Sequence, residues 1–204
     1  MENINDLHNQ QLVNTLLNSD TLTEPTRKAL QERMEIASGK NHFFSDELFD
    51  LLSVVCDRLM DQDTENRVVN VAVFIDERLK ANTCDGWRYN DMPPDDEMLV
   101  KGLEGINETA VIVFQKKFID LKKEGQLKIL KEIQQGSAAG NTWKELPPKK
   151  FFEELLAEAV EIFFSFPAVQ VSIDYRGMAD AKGWSLPNPS SKRVLSDRGG
   201  ELNK

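Results

Sequence analysis

Apolar positions along this chain recur every three or four residues rather than every second one, which predicts helices and argues against a sheet. Ile4, Leu7, Leu12, Val13, Leu16 and Leu17 sit among Asn and Gln and predict a weak amphipathic helix over residues 4–18. Thr23-Glu24-Pro25 is a helix start, with Thr as the cap and Pro at an early helical position; Gly39 ends this second helix. Ser45-Asp46-Glu47 starts a third, along which Leu48, Leu52, Val55 and Leu59 share a face. Residues 61–69 are polar and predict a loop; Val71, Phe74, Ile75 and Leu79 mark a fourth helix. Gly86, Asn90, Asp91 and Pro93 then supply turn chemistry over residues 82–93.

A fifth helix follows Pro94, with Leu99, Leu103, Ile106, Ala110 and Val113 on one side. Gly102 and Gly105 interrupt it at about 1 kcal/mol each relative to Ala, which points to close helix packing or a bend. Residues 124–135 predict a sixth helix with Leu127, Leu130 and Ile133 facing inward and Gly136 as its stop. After a loop over 137–147, Pro148 opens a seventh helix whose core face includes Phe152, Leu155, Ala159 and Phe163; Pro167 breaks it. Residues Val169–Tyr175 predict one more short turn or helix. The chain from 187 to 204 is rich in Pro, Ser, Asn, Gly and charge and reads as a flexible tail. The expected fold is therefore all-α: one compact bundle of about seven helices, with residues 1–40 as a helical extension, 41–186 as the main domain and 187–204 as the tail.

Composition narrows the function. With 204 residues the chain can bury a full core without a covalent staple. A net charge of −9 opposes phosphate backbones and makes wholesale nucleic-acid binding a poor expectation. No segment approaches the roughly 18–20 apolar residues of a membrane span, and Glu153, Glu154, Glu158 and Glu161 cut the most apolar stretch. The acidic, polar start Met1-Glu2-Asn3-Ile4 has no export signal, so the expected location is cytoplasmic, or periplasmic if such a signal was removed. Cys56 lies in an apolar helical run and Cys84 in a polar loop; a disulfide between them is not indicated.

The candidate chemistry is sparse. His8, His42, Cys56 and Cys84 are too few and too scattered for zinc, haem or an iron–sulfur centre, and Glu-x-x-His pairs for a di-iron site are missing. His42 beside Ser45 reads as a loop residue rather than as a catalytic base. Neither Gly-x-Gly-x-x-Gly nor a Walker A pattern occurs. Asp76-Glu77 and Glu153-Glu154 are conceivable acid–base pairs, but acidic helix faces are usually just solvated. Asp76 follows Val73-Phe74-Ile75 and sits at the margin of an apolar face, where it either fixes a loop or an Arg, or edges an interface. Residues 45–65 hold seven acids and one Arg, while 116–150 hold nine Lys and four acids. These are either faces that complement each other within the fold or two docking surfaces of opposite sign. Phe163-Phe164-Ser165-Phe166, then Ile173-Asp174-Tyr175-Arg176-Gly177 and Trp184, combine aromatics with Gly outside a helix. They serve either core packing or an exposed aromatic anchor.

In this order the chain resembles the gluconate 2-dehydrogenase subunit 3 family. The resemblance rests on Phe43-Phe44, Val73-Phe74-Ile75-Asp76, Lys101-Gly102-Leu103, Phe118 with Gln126, Phe151-Phe152-Glu153-Glu154-Leu155, Pro167 and Ile173 to Gly177, with Trp184 after. It covers roughly residues 43–185, and the order carries it more than any one motif. The resemblance implies a non-catalytic small subunit of a flavin-dependent sugar or polyol dehydrogenase. FAD and the catalytic residues would lie in a large subunit of the glucose–methanol–choline type, and a cytochrome c subunit often passes electrons on in such complexes. This chain would then hold no catalytic, cofactor-binding or metal-binding residue. Many family members begin with a twin-arginine signal, and this chain does not. The expected partner interface is Asp76, Tyr175, Arg176, Gly177 and Trp184. Two other readings stand beside it: an adaptor unrelated to redox chemistry, and a carboxylate enzyme, which would need at least two inward acids with nothing basic beside them.

Overall fold

The computed structural model describes residues 11, 13–15, 17–18, 22–36, 43–83, 91–173 and 175. Among these residues the chain is all-α, with no strand. The helices are α1 (Glu24–Ile36), α2 (Asp46–Leu59), α3 (Val71–Ala81), α4 (Asp95–Phe114), α5 (Lys123–Gln135), α6 (Thr142–Glu145), α7 (Pro148–Ser165) and α8 (Pro167–Ser172). Residues 11, 13–15 and 17 are also helical. Two single 3₁₀ turns, Thr64–Asn66 and Phe118–Asp120, lie in the connections.

Local chemistry sets the ends of these helices. The Ser45 hydroxyl accepts from the Leu48 N–H at the start of α2, and the Asn70 side chain accepts from the Ala72 N–H at the start of α3. Asp95, Asp96 and Glu97 place negative charge on the first turn of α4, where the helix dipole favours it. Gly136 takes φ +76° and turns its N–H back onto the last carbonyls of α5. Pro167 does break α7, but it also opens α8 at once: Phe166, in an extended conformation, ends one helix and precedes the next.

The long helix α4 is the centre of the bundle. Leu99, Leu103, Ile106 and Ala110 are fully buried, as their spacing predicts. Around it pack α2, α5, α6 and α7, while α7 also lies along α5 and α3. The glycines mark close packing rather than a bend. A Cβ on Gly102 would fall 2.0–2.4 Å from the Phe151 ring, and one on Gly105 would meet the Trp143 ring at 2.7–2.9 Å. Those two rings lie 5.7 Å apart in a tilted pair. A second, smaller cluster joins Val13, Leu17, Leu22 and Leu30 to Ala168 and Val171, so the N-terminal helices rest on α8.

Two expectations need correction. Residues 137–147 are more than a loop, since they contain α6. Its Trp143 is buried and donates from Nε1 to the Thr109 hydroxyl at 2.8 Å. Leu127 does not face inward; it is 42% exposed, and the inward positions are Gln126, Ile129, Leu130 and Ile133. Ile129, Leu130 and Ile133 set this stripe, and Gln126 joins it because it has partners inside. It accepts from Arg58 Nε at 2.6 Å and donates to the Phe118 carbonyl at 3.2 Å. The tail expected over 187–204 lies outside the described residues.

Gly102→Ala should destabilise the protein by about 1–3 kcal/mol through overpacking. Gly125→Ala, whose new Cβ would meet nothing closer than 3.4 Å, should be neutral or gain up to about 1 kcal/mol. Urea midpoints of the two variants measure this difference, and equal midpoints would contradict it.

Candidate functional site

Asp76 is only 1% exposed. Its carboxylate accepts from the Phe43 N–H at 3.1 and 3.2 Å and from the Phe44 N–H at 2.9 Å. The next residue, Ser45, caps α2, so Asp76 on α3 pins the chain where it enters α2. The structure therefore places Asp76 inside the molecule as a loop-fixing acceptor. It bears on a surface through the Phe43–Phe44 backbone that it holds. Phe44 is buried; Phe43 is partly exposed and meets it edge-on at 4.9 Å.

The second candidate region lies at the corner between α7 and α8. Phe74, two residues before Asp76, meets Phe166 at 6.2 Å, and Phe163 meets Phe164 edge-on at 5.3 Å. Beyond this corner Phe164 and Tyr175 are each 47% exposed and Ile173 is 52% exposed. The Tyr175 N–H donates to the Gln170 carbonyl at 2.8 Å, which holds the chain against the end of α8. Asp76 is thus an internal acceptor and Tyr175 an outer aromatic. Arg176, Gly177 and Trp184 lie outside the described residues, as do His8, His42 and Cys84.

A groove of about 400 Å³ opens between α3, α4 and α7. Phe74, Met98, Ala157 and Ile162 supply apolar lining, and Arg78 stands among Asp95, Glu154, Glu158 and Glu161. Arg78 Nε donates to Glu158 at 2.5 Å and Nη2 donates to the other oxygen at 3.0 Å; Nη1 donates to Asp95 at 2.9 Å. One guanidinium therefore ties three helices. Burial pushes the Glu158 carboxyl above its ordinary range, and this outweighs the hydrogen bonds and charge of Arg78; Asp95 and Glu161 add repulsion in the same direction. Sequence reasoning missed Arg78. A signal existed only on one side: Glu154, Glu158 and Glu161 recur at i, i+4 and i+7 and so share a stripe of α7.

The groove does not match the carboxylate-enzyme criterion, because its inner acids Asp95 and Glu158 are both bonded to a cation. It also does not suit a dinucleotide, since four carboxylates against one guanidinium repel a pyrophosphate. Among the described residues no cluster of three or more His, Cys, Asp or Glu is placed to hold a metal ion, and no helix is long and apolar enough to cross a membrane. Cys56 is a buried free thiol whose pKa burial pushes far up, so it offers no thiolate nucleophile. The acidic and basic segments meet each other within the fold at two points: Lys117 pairs with Glu47 at 2.6 Å and Lys123 with Asp61 at 2.7 Å.

Asp76→Ala should cost about 1–3 kcal/mol by orphaning the Phe43 and Phe44 amides, and should speed hydrogen exchange at Phe44. Asp76→Asn keeps an acceptor oxygen and should lose less. For Glu158 the folded protein holds the proton more tightly than the unfolded chain, so its contribution to stability is greatest at low pH. That contribution fades as pH rises through the folded-state range. The stability of the parent relative to Glu158→Gln should therefore fall as pH rises through and above the ordinary carboxylate range. Parallel unfolding curves at each pH measure the difference, and a gap that stays constant or widens in favour of the parent would contradict it.

No curated protein and no solved structure matches the chain. A family model described as gluconate 2-dehydrogenase subunit 3 matches residues 46–178, from the start of α2 to just past the Tyr175 segment. That span takes in the whole α2–α8 bundle, and the chain belongs to the gluconate 2-dehydrogenase subunit 3 family.

Proposed function

We propose that this protein is a non-catalytic accessory subunit that binds and stabilises the large subunit of a flavin-dependent sugar or polyol dehydrogenase. The family match over residues 46–178 is the observation that carries this reading. The site geometry is in keeping with it. The buried acids are engaged in holding the fold, Cys56 is sealed in the core, and the groove repels a flavin's pyrophosphate. In this reading FAD and the reacting groups belong to the large subunit, of the glucose–methanol–choline type, and a cytochrome c subunit takes the electrons onward.

The mechanism is mass action. A partner that binds only the folded large subunit stabilises it by about 2.7 kcal/mol when present at a hundred times its dissociation constant. The part of the surface that fits such a role is the corner beyond α7. There Phe164, Ile173 and Tyr175 expose apolar area, and the sequence continues through Arg176, Gly177 and Trp184; Tyr, Arg and Trp are residue types that dominate binding hot spots.

The large subunit, expressed without this chain, should show several-fold lower soluble yield and flavin content than when both are co-expressed. Equal yield and equal dehydrogenase activity in the two cases would remove the proposal. In the same co-expression, Ile173→Ser with Tyr175→Ala should weaken co-purification by about tenfold or more. Unchanged recovery would move the interface elsewhere.

A further inference from the structure

A second face departs from the acidic character of the molecule. The chain carries −9 overall, yet residues 111–131 hold six lysines against two acids. Two of these lysines are used internally, Lys117 on Glu47 and Lys123 on Asp61. Lys116, Lys122 and Lys131 are exposed and make no ion pair among the described residues. The same stretch holds four exposed large apolar side chains, Val111, Ile112, Ile119 and Leu127.

The end of α4 and α5 meet at Phe114 and Lys128. Lys128 Nζ lies 5.4 Å from the centre of the Phe114 ring, so a cation on α5 covers a half-buried aromatic on α4. Val111 lies three residues before Phe114 on the same side of α4, and Leu127 lies next to Lys128 and one turn before Lys131. Leu127 faces outward while Gln126, Ile129, Leu130 and Ile133 of the same helix are buried. An apolar residue is thereby left among lysines on the surface of α5.

We infer that this α4–α5 face is a second docking surface for the dehydrogenase large subunit, and that it receives an apolar patch rimmed by carboxylates. The inference rests on the accessory-subunit reading. Charge decides the class of occupant. Asp120 and Glu124 stand within the lysine stretch, and a protein surface can set its own cations against them. An anionic bilayer presents one sign only and repels both these acids and the chain as a whole. Unpaired lysines around exposed apolar residues steer association and fix orientation, while the apolar centre supplies affinity.

The test is co-expression of the large subunit with the full chain and with Lys122→Glu/Lys128→Glu/Lys131→Glu. A control carries the same change of net charge at distant exposed sites, Lys28→Glu/Lys144→Glu/Lys149→Glu. The expected result is at least about tenfold weaker association for the first triple variant, near-parental association for the control, and loss of the parental salt dependence only in the first. Circular dichroism melting of each purified variant confirms that it folds. If the parental chain itself fails to associate, the accessory reading falls and this inference falls with it. If the parent associates and the first triple variant does so equally well, the inference alone is overturned. It is likewise overturned if that variant keeps the complex but loses parental binding to phosphatidylglycerol vesicles, which would assign the face to lipid.

Discussion

The packing of this bundle depends on how closely α7 and α6 approach α4. An α-helix normally keeps its neighbours 8–10 Å away because side chains fill the gap. At Gly102 and Gly105 that filling is absent, and the Phe151 and Trp143 rings occupy the space directly against the α4 backbone. The rings are buried, and each full burial of such a side chain contributes several kcal/mol at most, against about 1 kcal/mol lost for each helical glycine. Ring burial therefore outweighs helix propensity at both positions. The Thr109 hydroxyl accepts from Trp143 in the same layer, so the apolar contact carries a polar key that fixes the indole's orientation.

Around that apolar centre, buried polar groups act as register pins. Asp57 is almost fully buried and binds Arg67 through both carboxylate oxygens at 2.7 Å each; Thr64 donates to the same carboxylate. Gln62 donates to the Val69 carbonyl and accepts from the Val68 and Val69 N–H groups, so one side chain closes the loop between α2 and α3. Asp76 closes the other side of the same helix pair by holding Phe43 and Phe44. Buried ion pairs of this kind add little net stability because desolvation offsets their attraction. Breaking one is expensive, though, and that asymmetry selects a single arrangement of loops over the alternatives.

Periodicity made the helices legible. The starts at Ser45 and Pro148 and the stop at Gly136 all stand where the residues place them, and the two glycines of α4 pointed to the packing they permit. Pattern reading failed where a polar side chain won an inward position. Leu127 looks inward by hydrophobicity, but the inward stripe of its helix is Gln126, Ile129, Leu130 and Ile133, and Gln126 fits there because it bonds Arg58, 68 residues away, and the Phe118 carbonyl. The Arg78 clamp was invisible for the same reason, since Glu158 is 80 residues from Arg78 and no local spacing encodes the pair. Asp76 was half legible. Its place at the edge of an apolar face marked it as special, but only the fold shows that two backbone amides donate to it. Trp143 was hidden inside a polar segment whose composition suggested a loop, because one short turn of helix suffices to deliver its ring to Gly105.

These two classes of interaction bear on the surface. A bundle whose loops are pinned by Asp57, Gln62 and Asp76 presents its outer side chains from a fixed frame, so little ordering entropy is lost when they are covered. Phe164, Ile173 and Tyr175 are exposed at and beyond the end of α7, Phe43 is exposed ahead of α2, and Leu127 with its lysines stands on α5. At Phe43 a buried polar bond bears directly on an exposed group, because Asp76 accepts from its backbone N–H. Substituting Asp76 would alter the setting of Phe43 as well as stability. An interior polar residue of this bundle thus helps to define its outer surface as well as its core.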